Sequence, residues 1–579
     1  MSKHRAIIIL RNIAKVSWSF SSFIPSQVTS MKHFFTFLLT VAALVTSAQT
    51  LPANLQTGID SLFKDYTKPG SPGVAVLIVK DGKIAFEKGY GLANLEYDMP
   101  VTPTSVFDIA SVSKQFTGYA ISTLIQEGKI SPDDDIHKYL PDVPDFGKKI
   151  TIHNLIHHTS GLRDWPEGLH AAGWRWDESF NYEDIMRMVS KQHDLDFEPG
   201  SRYQYSNTGY NLLAAIVAKV SGKTFPQWAA ENIFKPFGMQ ATIVNDDFSR
   251  VIPHLATSYY QGGDVYHKAT DQLTAFGSSS IYTTVEDLSK WVIRFQQGLA
   301  DKDPVYLRMI QTDTLNNGSP NYYAYGLLVD GHMGVREISH DGGWAAYATN
   351  ISNFPDQKVG IILLSNSGNF NADGESDAVA RLLLNLKASP NQKGEDLGKL
   401  PTVKVDSNIL KKYTGTYQLG PGWLVTFTLE NGQIMTQATG EDKFPTDLKS
   451  DTTLWVPAYN SSVKFTQVTD KANAIVYHGK VSKRVTPLKV DPSQLGQFVG
   501  SYYSKELEAT YRITLENGRL VGHHMRLGDF RLSPDMIAAD TFGSAAGGTM
   551  AFYRDGQNKV IGFKLSGGRI RNIVFEKLL

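Results

Sequence analysis

Ser111-Val112-Ser113-Lys114 sets a hydroxyl and an amine three residues apart, and Gln115-Phe116-Thr117-Gly118-Tyr119-Ala120-Ile121 continues the stretch at helical spacing. Residues i and i+3 of a helix share a face, so Ser111 Oγ and Lys114 Nζ can meet. Near a helix N-terminus, unpaired backbone N–H groups and the dipole would also favour negative charge developing at Ser111. A serine becomes a useful nucleophile only with a base beside it, and a partly desolvated lysine can serve. The spacing alone is common in long chains, so its meaning depends on what accompanies it.

Two further stretches follow in order. Tyr205-Ser206-Asn207 lies in a turn-rich run from Pro199 to Tyr210 that leads into an apolar helix, Leu212 to Val220. His340-Asp341-Gly342-Gly343 precedes a strand-like series ending in Ile361-Ile362-Leu363-Leu364-Ser365-Asn366. With these S-x-x-K, Y-x-N and H-x-G elements the chain resembles the serine β-lactamase and penicillin-binding-protein superfamily. The Y-x-N element points to the branch of class C β-lactamases, D-aminopeptidases, D-alanyl-D-alanine carboxypeptidases and esterases. Ile150 to Leu162 and Gly277 to Leu288 look like further family markers, and the resemblance covers roughly residues 52–387.

The resemblance implies Ser111 as the acylated nucleophile, Lys114 as the group that holds or takes its proton, and Tyr205 as the second acid/base. It implies Asn207 as a partner for Lys114 and for a substrate amide, His340 and Asp341 as substrate-binding positions, and an oxyanion hole at the backbone N–H groups of Ser111 and Gly343. A cationic Lys114 would lower the Tyr205 pKa, so either group could be the base, and coupled sites titrate as a unit. At Asp341, penicillin-recognising relatives usually carry a small hydroxyl residue. A carboxylate pointing into the site would disfavour substrates with a free carboxylate. One pointing away would pair with a loop arginine such as Arg336.

Composition narrows the rest. Lys plus Arg and Asp plus Glu each number 57, giving zero net charge and arguing against a nucleic-acid partner. Cysteine is absent, which removes disulfides, thiolate catalysis and a lipid anchor on cysteine. The histidines show no metal-ligand spacing, and His157-His158 read as structural. Neither metal nor cofactor is implied. Met31-Lys32-His33, the apolar run Phe34 to Val45 and Thr46-Ser47-Ala48 read as a secretory signal cleaved before Gln49, with Met31 as the true start. The apolar run is too short to span a bilayer stably, so the mature chain is expected in the periplasm or medium.

At 579 residues the chain calls for two or three domains. Leu51 to Tyr66 alternates as an amphipathic helix, and Gly73 to Asn94 as two strands around the Asp81-Gly82 turn. A helical insert runs from Asp108 to about Pro236, strands from Tyr322 to Asn366, and a closing helix from Ala378 to Leu386. The fold class expected is α+β: an antiparallel sheet with flanking helices plus an all-helical lobe, over 49–388. Residues 389–406 read as a linker. Beyond it, Leu410…Tyr413-Thr414-Gly415-Thr416-Tyr417 with Leu429-Glu430-Asn431-Gly432 recurs as Leu495…Phe498-Val499-Gly500-Ser501-Tyr502 with Leu515-Glu516-Asn517-Gly518. Two small antiparallel β-barrel modules are expected, over 407–489 and 490–579, resembling lipocalin-like appendages, with His523-His524 as a surface pair.

The expected function is a secreted serine hydrolase acting through an acyl-enzyme on amide or ester bonds of a small molecule or short peptide, of D-aminopeptidase, amidase or esterase type. The alternatives are a true β-lactamase or D-alanyl-D-alanine carboxypeptidase and, in a different class, a non-hydrolysing penicillin-binding sensor or cell-wall binding protein. Oligomerisation through the β modules is left open. The linker and repeats lie outside the family-like region, so 49–388 is expected to fold and acylate alone.

Overall fold

A computed structural model of the chain describes residues 50–578, apart from 333, 387–399, 404, 421–422, 440, 442, 460, 478–479 and 545–547. The leader read at 1–48 and most of the linker read at 389–406 lie outside the described residues.

Asp81 and Gly82 take positive φ (50° and 73°), as a tight hairpin turn of the I′ kind requires, and join β1 (Val74–Lys80) to β2 (Lys83–Tyr90). Four later strands complete the sheet: β3 (Leu328–His332), β4 (Val335–Trp344), β5 (Tyr347–Phe354) and β6 (Val359–Ser365), in the order β3-β4-β5-β6-β1-β2. Every neighbouring pair is antiparallel. In β1, Val74, Val76 and Ile78 face one core with Ile59 and Val379. Ala75, Leu77 and Val79 face another with Trp291 and Val292. The sheet is therefore covered on both sides, which explains a first strand of unbroken apolar residues.

Helix α1 (Ala53–Leu62) packs on the outer face. The helical lobe carries α2 (Lys114–Gln126), α3 (Trp165–Ala171) and α4 (Asn207–Ser221). Helix α5 (Val285–Ala300) supplies Trp291 and Val292 to the inner core, and α6 (Ala372–Leu384) closes the outer one. Helix α6 begins six residues before the expected Ala378, because the Asn371 side chain accepts from Gly374 N and caps a polar first turn.

Beyond the linker two antiparallel sheets curl into nearly closed barrels, nine-stranded and eight-stranded among the described residues. In each, the first strand pairs with the last: Thr416 opposite Val485, and Tyr502 opposite Lys577. The internal repeat survives as geometry. Tyr417 donates to the Tyr413 carbonyl at 3.2 Å and Tyr502 to the Phe498 carbonyl at 2.7 Å. Asn431-Gly432 and Asn517-Gly518 both turn through positive φ.

The second barrel ends in β7 (Val560–Gly567) and β8 (Ile570–Lys577), and it packs against the helical lobe. Ala171 of α3 joins its hydrophobic cluster, and Tyr511 donates to the Ala171 carbonyl at 2.9 Å. Arg163, 1% exposed, donates to the Arg571 carbonyl at 2.9 Å, and its Nε lies 3.3 Å from Glu506 and 3.6 Å from Asp196. His524 is not the surface residue expected from its sequence. It is buried beside Gly173, where an added Cβ would lie 2.1 Å from the imidazole.

Candidate active site

Ser111 lies in a 3-10 turn, Ala110–Ser113, one step ahead of α2 rather than inside a helix. Asp108 Oδ1 accepts from Ala110 N at 2.8 Å, and Ala110 is held at φ 45°, an unfavourable region for a residue with a Cβ. The tighter turn still brings the two side chains together. Lys114 Nζ donates to Ser111 Oγ at 3.0 Å, to Asn207 Oδ1 at 2.8 Å and to the Ser278 carbonyl at 2.7 Å. That carbonyl gives the Gly277–Leu288 stretch a role its sequence did not disclose.

Lys114 is fully buried, and desolvation holds its pKa well below the usual lysine range. Asp164 acts in the opposite direction, and Arg569 with desolvation. Tyr205 stacks nearby, its ring centroid 4.8 Å from Lys114 Nζ. Its phenol is pushed well above the ordinary value, chiefly by enclosure, with a hydrogen bond to Ser111 pulling the other way. The downward shift expected at Tyr205 is therefore reversed: an amine driven toward neutrality offers little charge, and desolvation wins. Of the two candidates, Lys114 is the one moved toward neutral pH.

Asn207 opens α4, which Ser206 caps by accepting from Gly209 N. Its backbone N donates to Asp164 Oδ1 at 2.6 Å and its Nδ2 to Asp164 Oδ2 at 3.1 Å. The Oδ1 lone pairs are thereby turned toward Lys114. Asp164, fully buried, also meets Arg569 Nε at 2.9 Å, and the same Nε reaches Glu167 Oε1 at 2.9 Å. The Arg569 guanidinium carbon sits 5.6 Å from the Tyr205 ring centroid. Neither residue was found from sequence. Asp164 stands two positions past the Ile150–Leu162 marker, and Arg569 sits in a two-residue turn with no motif.

His340 is buried with both ring nitrogens engaged. Nδ1 donates to the Asp341 carbonyl at 2.5 Å, which leaves Nε2 to accept from the Tyr323 hydroxyl at 2.9 Å. Burial, assisted by Lys114, lowers its pKa to about 3, so the ring is neutral. The Asp341 side chain is 66% exposed, and Arg336 pairs with Asp356 at 2.8 Å rather than with Asp341. Close approach is needed at Gly342, where a Cβ would lie 2.4 Å from the Ile109 carbonyl oxygen and 3.2 Å from Ser111 N. At Gly343 an added Cβ would meet nothing within 4 Å. His157 and His158 are buried, His157 on the Tyr323 carbonyl and His158 accepting from Ser206 N.

Two cavities border this cluster. One of about 810 Å³, beside Gly343, is walled by His170, Trp176, Tyr260 and Trp344. The other, about 320 Å³, lies beside Tyr205 and His340 and is lined by Glu337, Asp341 and Asp373. Trp176 thus faces a cavity, whereas Trp165 is buried in the core. Chemically, a hydroxyl beside a desolvated amine, with cavities next to the neighbouring Gly343 and Tyr205, is equipped to attack a carbonyl carbon.

The chain is similar to several known proteins. Penicillin-binding protein 4* of Bacillus subtilis is 29% identical over 450 residues, 73% of this chain and 96% of that protein. Protein flp of Staphylococcus aureus is 29% identical over 54% of this chain, which spans 63% of flp's length. Among solved structures, the octameric penicillin-binding protein homologue from Pyrococcus abyssi superposes with a TM-score of 0.53 at 20% identity, covering 82% of this chain and 98% of that one. The D-amino acid amidase from Ochrobactrum anthropi superposes with a TM-score of 0.50 at 23% identity, over 58% of this chain and all of that one. These two likenesses are of fold. The Beta-lactamase family matches residues 59–386, more than half of the chain, and the protein belongs to that family as a serine hydrolase.

Proposed function

We propose that the protein is an acyl-enzyme hydrolase of small amides or esters, with Ser111 as nucleophile and Lys114 as general base. The observation that carries this reading is the fully buried Lys114 Nζ at 3.0 Å from Ser111 Oγ. Ser111 Oγ attacks the carbonyl carbon while its proton passes to the neutral Lys114 amine. The backbone N–H groups of Ser111 and Gly343 receive the oxyanion. The proton taken up by Lys114 is relayed to the leaving group by Tyr205, which gives up its own proton, takes the one from Lys114 and ends the step a phenol. Water then cleaves the ester at Ser111, its proton returning to the serine oxygen by way of Lys114. Asn207 orients Lys114.

The two cavities support a substrate class. The aromatic walls of the larger suit an apolar acyl or side-chain group. The carboxylates of the smaller disfavour an anionic substrate end and suit a neutral or cationic one. That combination favours an aminoacyl amide or ester over a β-lactam or a peptide with a free carboxylate. Export through the 31–48 segment, to the periplasm or medium, is part of the same reading.

The test is covalent labelling with a fluorophosphonate, followed by kcat/KM on D- and L-aminoacyl anilides, short-chain esters and a chromogenic cephalosporin. Wild-type protein should label and Ser111→Ala should not. Labelling that survives in the alanine variant would place the chemistry elsewhere. A preference for the cephalosporin would overturn the substrate class.

A further inference from the structure

Arg569 comes from the last hairpin of the second barrel yet stands among residues more than 350 positions earlier in the chain. We propose that Arg569 is a positioning residue of the active site, delivered in cis by the second β module of the same chain, which neutralises buried Asp164 and holds Asn207 and Lys114 in register with Ser111. This rests on the reading of Ser111 and Lys114 given above.

Asp164 is fully buried, so an unpaired charge there would be costly. Its Oδ1 accepts from Asn207 N and its Oδ2 from Asn207 Nδ2, Arg569 Nε lies 2.9 Å from Oδ2 as an ion pair, and the Asp164 N–H donates back to the Arg569 carbonyl at 3.3 Å. The hairpin is thus tied to Asp164 through both main chain and side chain. The turn is shaped for this approach: Gly568 takes φ 47°, and a Cβ there would lie 3.0 Å from Glu167 Cγ. Neighbouring Arg571 N donates to Asp196 Oδ1 at 2.8 Å, and Gln204 Nε2 donates to the Arg569 carbonyl at 3.2 Å.

The electrostatic consequence reaches Lys114. Its immediate shell is Ser111, Asn207, the Ser278 carbonyl and the rings of Tyr205 and Tyr210. The charged groups facing it are Asp164 and Asp341, which favour its proton, and Arg569, which opposes it. His158 and His340, packed on the same cluster, are held neutral by burial. Without Arg569 the balance shifts toward a protonated lysine, which cannot accept the serine proton.

The experiment follows the pH dependence of the rate at which full-length protein is phosphonylated by a fluorophosphonate. In that step Ser111 Oγ forms a bond to phosphorus, the P–F bond breaks, fluoride leaves and the serine proton goes to Lys114. Arg569→Gln should move the acid limb of the profile up by about one pH unit. Millimolar methylguanidinium should move it back. Glu167→Gln, which removes an anion beside Arg569, should move the limb by a smaller amount in the opposite direction. It decides the matter if Arg569→Gln does not fold. Tyr511→Phe, which loosens the docked module without changing charge, should leave the limb in place.

A uniform loss of rate in Arg569→Gln with the limb unmoved would reduce Arg569 to a structural strut and overturn the proposal. So would an unmoved limb in Glu167→Gln where Arg569→Gln cannot be purified. Failure of wild-type protein to label at all would overturn the Ser111 reading itself, a distinguishable result.

Discussion

The two β modules share a repeat, a tyrosine that bonds the carbonyl four residues behind it, and an Asn-Gly hairpin, yet they relate differently to the catalytic domain. The hydrophobic cluster of the first, from Leu410 to Ile475, is made of its own residues. That of the second takes in Ala171 of α3, and its polar groups Glu506, Tyr511, Arg569 and Arg571 are spent on the helical lobe. One repeated hairpin pattern has thus supported two outcomes. What separates them is a few side chains on loops and strand faces that the repeat itself leaves unspecified.

The largest effect that could break this contrast is removal of the second module alone. A chain ending at residue 489 should lose at least about 100-fold in Ser111 labelling rate, because Asp164 is left buried without its cation at a cost of about 3–5 kcal/mol. Retention of the wild-type rate would make the second module as dispensable as the sequence suggested both were.

An intermediate effect is pH-dependent. Burial raises Asp196 to about 6 and Glu506 and Glu167 to about 7, all three at the docking interface. Carboxyls with folded pKa values above their unfolded ones bind more protons in the native state. The docked unit is therefore most stable below about pH 4 and loses that advantage as pH rises toward 7. Calorimetry between pH 4 and 8 should show this in the transition of the catalytic domain and second module, while that of the first module holds steady. Parallel shifts in both would erase the distinction.

The smallest effect concerns the matched tyrosines. Tyr417→Phe and Tyr502→Phe should each cost about 1–2 kcal/mol in their own barrel by leaving a buried carbonyl short of a donor. Only Tyr502→Phe should shorten the half-life of labelling competence near the melting temperature. Equal half-lives would mean that docking does not transmit the damage.

Much of the site was legible because its chemistry is concentrated in short motifs. Ser111 and Lys114 are three residues apart, Tyr205 and Asn207 two, and local geometry nearly guarantees each pair's proximity. Asp164 and Arg569 were not legible, since their meeting depends on how a barrel docks, and a lone arginine in a Gly-Arg turn resembles many surface hairpins. His340 was legible as a position but not as a neutral ring with both nitrogens occupied, because that follows from Tyr323 and from burial. The first hairpin of the sheet was legible from its Asp81-Gly82 turn, since β1 itself is an unbroken apolar run without alternation. The start of α6 was missed because Asp373 and Glu375 gave its first turn the look of a loop.

Ala110 adds a consequence for anyone altering this protein. Its left-handed backbone costs on the order of 1 kcal/mol that glycine would avoid, while glycine adds nearly as much freedom to the unfolded chain. Ala110→Gly should consequently melt at almost the same temperature as the parent, with the two terms cancelling. The residue after it, however, is the proposed nucleophile, and a wider backbone basin at 110 would let Ser111 Oγ wander from the Lys114 amine. A substitution invisible to calorimetry would then be plain in kinetics. A screen that selects on thermal stability alone would pass it without notice.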